Sequence, residues 1–283
     1  MNDKLFIKLQ HLVPQHALSR VIGRIASCTN PLVKNTFIHW FIKRYHVDMS
    51  LATEENPRAY ASFNDFFTRA LKPGVRPIAR EESAIVCPAD GSISQIGKID
   101  NGRIFQAKGQ DYSVEELLGG DSELAQQFVQ GDFATVYLSP KDYHRVHMPY
   151  AGKLTKMISI PGDLFSVNTV TAENVPRLFA RNERVVAIFE TDIGPMAVVL
   201  VGAMIVAGIE TVWDGELAPM GSREITASLY PYQNIVLERG AEMGRFKLGS
   251  TAIILFAQDK IIWEPQFVAG TTTRVGVKLA LKR

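Results

Sequence analysis

The sequence predicts an α+β fold in which a group of short amphipathic helices precedes a predominantly β body, and three observations carry that reading. From about residue 84 onward, apolar runs rich in β-branched residues recur at short intervals between Gly and Pro, the punctuation of many short strands. Before residue 50, Pro14 and Pro31 divide the chain into three short helical candidates. The 283 residues, 46% hydrophobic and 21% charged, are enough to bury a full core and do not describe a disordered chain.

The second helical candidate places Leu18, Val21, Ile22 and Ile25 at i, i+3, i+4, i+7, and the third repeats the pattern with Val33, Phe37, Trp40, Phe41 and Tyr45. Around the first, Leu5, Phe6, Ile7, Leu9, Leu12 and Val13 exceed what one narrow core stripe needs. Between residues 4 and 47 lie Lys4, Lys8, Arg20, Arg24, Lys34, Lys43 and Arg44 and no acidic residue, so the formal net charge of +2 leaves the rest of the chain at about −5 by subtraction. A basic end on a mildly acidic body excludes a protein that coats nucleic acid and points to one basic contact surface. Basic amphipathic helices with spare apolar residues suit the headgroup boundary of an anionic bilayer. The alternative is a helical cap packed on the body, or a contact between two copies in a homodimer. Residues 1–50 are thus expected to dock on a membrane and 51–283 to form a separate, β-rich domain.

No apolar run closes on a small-residue cleavage site, so no signal peptide is expected. The longest uncharged stretch, Ile193 to Ile209, is short for a span and rich in Val, Gly and Met, and reads as a pair of core strands. Membrane contact is therefore expected to be peripheral, on the cytoplasmic side of the cell membrane. Cys28 and Cys87 form no framework and read as structural thiols in a reducing compartment.

Within the body, Ser62 is a helix start before Phe63, Phe66, Phe67 and Leu71, which are expected in the core. Asp90-Gly91 between apolar runs reads as a hairpin turn. A short helix follows around Val114–Leu118. The run Ser139-Pro140-Lys141-Asp142-Tyr143-His144-Arg145-Val146-His147-Met148-Pro149 is dense in titratable groups. A metal site would want a third ligand, and Arg145 between the histidines opposes a cation. A structural pair of histidines and general acid–base work are the other readings. Ile160 to Asn168 offers amides near Gly162 with Ser166 and Asn168, which can hold a phosphodiester, or else form a turn and strand. Asn182 to Phe189 and Met196 to Ile209 read as strands of one sheet system. The basic tail Lys278, Lys282 and Arg283 reads as solvated.

The most informative stretch is Glu242-Met243-Gly244-Arg245-Phe246-Lys247-Leu248-Gly249-Ser250-Thr251, followed by the apolar run 252–256, a buried strand by composition. Gly249 places an uncrowded carbonyl at the entrance to that strand, with a hydroxyl immediately after it. This is what an intramolecular acyl shift requires. The Ser250 hydroxyl attacks the Gly249 carbonyl, the peptide bond becomes an ester, and the ester eliminates. The resulting dehydroalanine loses ammonia to water and leaves a pyruvoyl group on a chain that begins at residue 250. Gly-Ser alone is also a turn signal, and Gly91-Ser92 and Gly221-Ser222 read that way.

In company, these segments are similar to those of the phosphatidylserine decarboxylases, the membrane-associated kind with a Leu-Gly-Ser-Thr cleavage sequence. The resemblance covers most of residues 60–283 and includes the Phe-rich helix ending at Arg69, Pro88-Ala89-Asp90-Gly91, the His144/His147 run and the 160–168 segment. The lead into the cleavage site matches as well, with Arg239 in its basic slot. It implies a self-processing decarboxylase that converts phosphatidylserine to phosphatidylethanolamine and carbon dioxide in phospholipid biosynthesis. Asp90 would orient His147, His147 would deprotonate Ser250, and His144 would serve decarboxylation, a relay recognised by roles. The cofactor would be the pyruvoyl group from Ser250, which forms a Schiff base with the substrate amine and acts as an electron sink, with no metal and no pyridoxal phosphate. The products 1–249 and 250–283 would stay associated in one fold. A pyruvoyl decarboxylase of a soluble amino acid would leave the N-terminal helices without purpose. A lipid-surface binding module without catalysis would leave one uncut chain.

Overall fold

The structure is a computed structural model that describes residues 3–107, 109–204, 208–218, 220 and 223–283, without the side chains of Lys4 and Ser250. Among the described residues the largest unit is a nine-stranded sheet. Its main path runs Thr226–Leu229, Gly152–Ile160, Arg184–Thr191, Gly194–Val201, Ser250–Phe256, Asp132–Leu138, Gly91–Lys98, Thr272–Thr273, with Val236–Leu237 also pairing Gly152–Ile160. Neighbours pair antiparallel throughout. A four-stranded sheet holds Gly215–Glu216, Gly208–Thr211, Glu242–Lys247 and Arg145–His147, and a three-stranded sheet holds Ala84–Val86, Lys278–Lys282 and Ile261–Trp263. The β-dominated α+β class expected from the sequence is the observed one.

Ser250–Phe256 lies at the centre of the large sheet because its composition tolerates burial on both faces. Successive side chains of a strand point to opposite sides. Ala252, Ile254 and Phe256 enter one core with Val198 and Leu200, while Ile253 and Leu255 enter a second with Val199 and Phe133. The uncharged stretch 193–209 divides into Gly194–Val201 and Gly208–Thr211, as expected, with 205–207 outside the described residues. Gly221 and Ser222 lie outside them too.

Four local expectations are corrected. Asp90-Gly91 is no hairpin turn: Ala84–Val86 before it pairs with Lys278–Lys282, and Gly91–Lys98 after it joins the large sheet. Gly91-Ser92 likewise opens a strand. Glycine is required at 91 because a Cβ would sit 2.1 Å from the Tyr137 carbonyl oxygen. Leu71 is only half-buried, since the helix begun at Ser62 ends at Phe67. The tail lysines are engaged, Lys278 with Glu81 and Glu264, and Lys282 with Asp192.

The N-terminal segment forms α1 (Asp3–Leu12), α2 (Gln15–Ala26) and α3 (Pro31–Tyr45), and Phe63–Phe67 forms α4. Asn30 caps α3 by accepting from the Leu32 N–H at 3.0 Å, with Pro31 at the first helical position. Ala26, Ile38 and Phe41 build a third core with Tyr60, Phe63, Phe66 and Phe67, and Leu248 packs against it. This core crosses residue 50, so α3 is continuous with the body. The opposite faces carry Leu5, Leu9, Leu12, Val21, Ile25, Leu32 and Trp40 in exposed positions, Leu12 at 79% and Leu32 at 81%. No helix among the described residues is long and apolar enough to cross a membrane.

Candidate active site

Leu248 and Gly249 precede the central strand in left-handed conformation, at φ 80° and 73°. For a branched side chain such as Leu248 this is an outlier that stores roughly 1–3 kcal/mol. A Cβ at Gly249 would meet nothing within 4 Å, so glycine is demanded there by φ alone. Ser250 follows opposite Leu138 in register; its side chain lies outside the described part.

Leu248 and Gly249 line a cleft of about 180 Å³. Phe41 of α3, Phe67 of α4, Tyr137 and Ser166 line it as well. Behind Phe67 lies His144, its ring stacked on the phenyl at a centroid distance of 4.0 Å. The imidazole is fully buried, with the Ser139 and Pro140 carbonyls nearby but no well-formed hydrogen bond to either nitrogen. Burial, and then the Arg69 guanidinium, push its pKa down to about 3, so it is neutral at pH 7.

That shift has a signed consequence for stability. Above about pH 6.5 both folded and unfolded chains hold neutral His144. Between about 6.5 and 3 only the unfolded chain binds the proton, so stability falls as pH drops through this window and levels off below it. The contribution between pH 7 and pH 5 is expected to be roughly 2 kcal/mol. Urea midpoints at the two pH values should lie closer together for His144→Gln than for the parent protein. Equal spacing would refute the assignment.

His147 stands on Arg145–His147, opposite Glu242. Its Nδ1 is 2.8 Å from the Gly240 carbonyl and its Nε2 is 3.2 Å from the Tyr143 hydroxyl. A carbonyl only accepts, so Nδ1 carries the proton, the Tyr143 hydroxyl donates to Nε2, and Nε2 is the basic nitrogen. Burial lowers the His147 pKa, opposed by the Gly240 bond and by the charges of Glu242 and Asp90.

Asp90 is buried, and its carboxylate accepts from Arg76, with Nε 2.9 Å from both oxygens, and from the Val275 N–H at 2.9 Å. No hydrogen bond joins Asp90 to His147. The loop nonetheless lies alongside, since the His147 N–H donates to the Pro88 carbonyl at 2.8 Å, and Asp90 acts on the imidazole through its charge. The Gly240 carbonyl occupies the orienting position that the resemblance gave to the carboxylate. Neither it nor Arg76 stood out in the sequence, because a backbone oxygen has no residue signature and Arg76 sits in an ordinary Arg-Pro turn.

Ser166 reaches the cleft, but the Asn168 side chain is committed to capping the helix Thr169–Asn174, accepting from the Thr171 N–H at 2.9 Å and hydroxyl at 3.0 Å. Arg145 donates to Glu242 at 2.8 Å and to the Thr68 carbonyl at 2.8 Å, and its charge opposes protonation of His147. Among the described residues no three His, Cys, Asp or Glu side chains are grouped to hold a metal ion.

A buried neutral histidine, a second histidine whose pKa is lowered by burial, and a strained backbone at the rim of a largely apolar cleft are the marks of an enzyme. The chain belongs to the phosphatidylserine decarboxylase family: the family model described as Phosphatidylserine decarboxylase matches residues 63–281, and a second, described as PSD, matches 5–46. It is 58% identical over 279 residues to a phosphatidylserine decarboxylase proenzyme of Acinetobacter baumannii, covering 99% of this chain and 96% of the relative. Proteins of the same name from Pseudomonas putida and Pseudomonas entomophila are also 58% identical, over 99% of this chain and 98% and 99% of theirs.

Proposed function

We propose that this chain is a proenzyme that severs itself between Gly249 and Ser250 and then converts phosphatidylserine to phosphatidylethanolamine and carbon dioxide. The observation that carries this reading is the left-handed Leu248–Gly249 pair at the rim of the cleft, immediately before Ser250. Residues 1–249 and 250–283 have good reason to stay together after cutting. The strand 250–256 is bonded on both sides, to Gly194–Val201 and Asp132–Leu138, and Asp90 grips Arg76 of one product and the Val275 N–H of the other.

The pyruvoyl group expected at residue 250 would supply the electron-withdrawing carbonyl that decarboxylation needs. Everything else falls to side chains. His147, protonated on Nδ1 by its bond to Gly240, offers Nε2 as the base for processing, with Asp90 and Glu242 favouring its charged form. His144, neutral behind Phe67, can relay a proton toward the cleft, taking one up at one ring nitrogen as it gives one from the other. Phe41, Phe67 and Tyr137 restrict water there.

The helices support a peripheral seat on an anionic membrane surface, at the cytoplasmic face. Their outward leucines match the acyl boundary, and Lys8, Arg20 and Arg24 are exposed beside them. Leu9→Ser combined with Leu12→Ser should weaken sedimentation with phosphatidylglycerol vesicles at least about tenfold. Undiminished sedimentation would remove this surface from the reading.

Intact mass under denaturing conditions and carbon dioxide release together test the function. Two chains, the smaller beginning at residue 250 without a free amine, and release from phosphatidylserine but not from free serine are expected. An uncut chain, or equal release from free serine, would overturn it.

A further inference from the structure

We propose that Gln10 is a positioning residue for the site, tying the segment that carries Ser166 to the helix that presents leucines to the membrane. Gln10 is 3% exposed, although it sits on a ten-residue surface helix whose other face displays Leu5, Leu9 and Leu12. A buried amide is costly unless its groups are paired, and here both are. Its Oε1 accepts from the Ser166 N–H at 2.8 Å, and its Nε2 donates to the Thr171 hydroxyl at 3.1 Å. Thr171 in turn donates to Asn168 at 3.0 Å, so the amide clamps the chain on both sides of the Ser166–Asn168 turn.

Neighbouring contacts act in the same direction. The Leu164 N–H donates to Gln15 Oε1 at 2.7 Å, Gln15 Nε2 donates back to the Gln10 carbonyl at 2.8 Å, and the His11 ring meets Phe165 edge-on at 4.8 Å. Residues 164–171 are therefore held by α1 and the first residue of α2, and Ser166 lines the same cleft as Gly249. A helix seated in the headgroups and a wall of the reaction cleft share one amide side chain. This inference rests on the reading of that cleft as the decarboxylation site.

The test uses the processed full-length protein and two substrates: phosphatidylserine in phosphatidylglycerol vesicles, and dihexanoyl phosphatidylserine below its micellar concentration, where no surface is needed. Gln10→Ala should lower kcat about tenfold on both substrates, with vesicle sedimentation within about twofold of the parent and faster hydrogen exchange at the Ser166 amide. Gln10→Glu keeps the oxygen that accepts from Ser166, and with the Thr171 hydroxyl turned from Asn168 to donate to the second oxygen it should restore that amide's protection and kcat to within about threefold. The proposal is overturned if Gln10→Ala retains kcat on the soluble substrate, or if the Ser166 amide exchanges unchanged. Should the parent protein release no carbon dioxide from either substrate, the reading of the site fails instead, while the exchange measurement still decides the clamp.

Discussion

A Ser250→Ala chain is expected to remain one uncut polypeptide of 283 residues and to release no carbon dioxide from phosphatidylserine. The change removes the hydroxyl of the residue that directly follows the Gly249 carbonyl in the chain and leaves the backbone as it was. Leu248 and Gly249 keep their left-handed geometry, because that is imposed by the strand entering between two partners and by Leu248 packing on the helical core. Folding stability should change by no more than about 1 kcal/mol, as for a substitution that opens no large cavity. Intact mass then reads the chemistry without interference from misfolding. A Ser250→Ala chain found cut at this bond would end the self-processing assignment.

The second large effect is expected at His144, with the opposite pattern. His144→Ala should still be cut at Gly249–Ser250, yet decarboxylate about 10²–10⁴-fold more slowly, the usual worth of a positioned acid–base group. Phe67 separates this imidazole from the cleft in the structure, so the proton's path involves movement of that ring or of His144 itself. Alanine also leaves a cavity against Phe67, which calls for a folding control, and His144→Gln keeps most of the volume. The backbone bond in which the Phe246 N–H donates to the residue 144 carbonyl at 2.9 Å is untouched by either change. Near-normal product formation by both variants would refute the role, and an uncut His144→Gln chain would place His144 in processing instead.

Much of this is legible in the sequence. The run 252–256 has no residue that objects to burial, so it reads as a strand covered on both faces, and it is the one at the centre of the sheet. Asp-Gly at 90–91 misled, because local turn chemistry cannot tell a hairpin from a chain passing between two sheets. The smallness of Gly91 answers instead to the Tyr137 carbonyl. The helical stripes were visible as stripes, but not their direction: Val21, Ile25 and Trp40 point outward, whereas Ser19, Ala26 and Ile38 point in. Periodicity establishes that a helix has two faces, and only packing says which one meets protein.

The sequence by itself determined the β-rich body, the three basic helices, the Gly249-Ser250 junction and the paired histidines, all properties of residues near one another in the chain. Tertiary structure decided the rest: Gly240 against His147, Arg76 and Val275 on Asp90, and Gln10 on Ser166. Those partners lie 14 to 185 positions apart. Which donor meets which acceptor across such distances is set by how sheets and helices close over a common core, and no local pattern of amino acids encodes it.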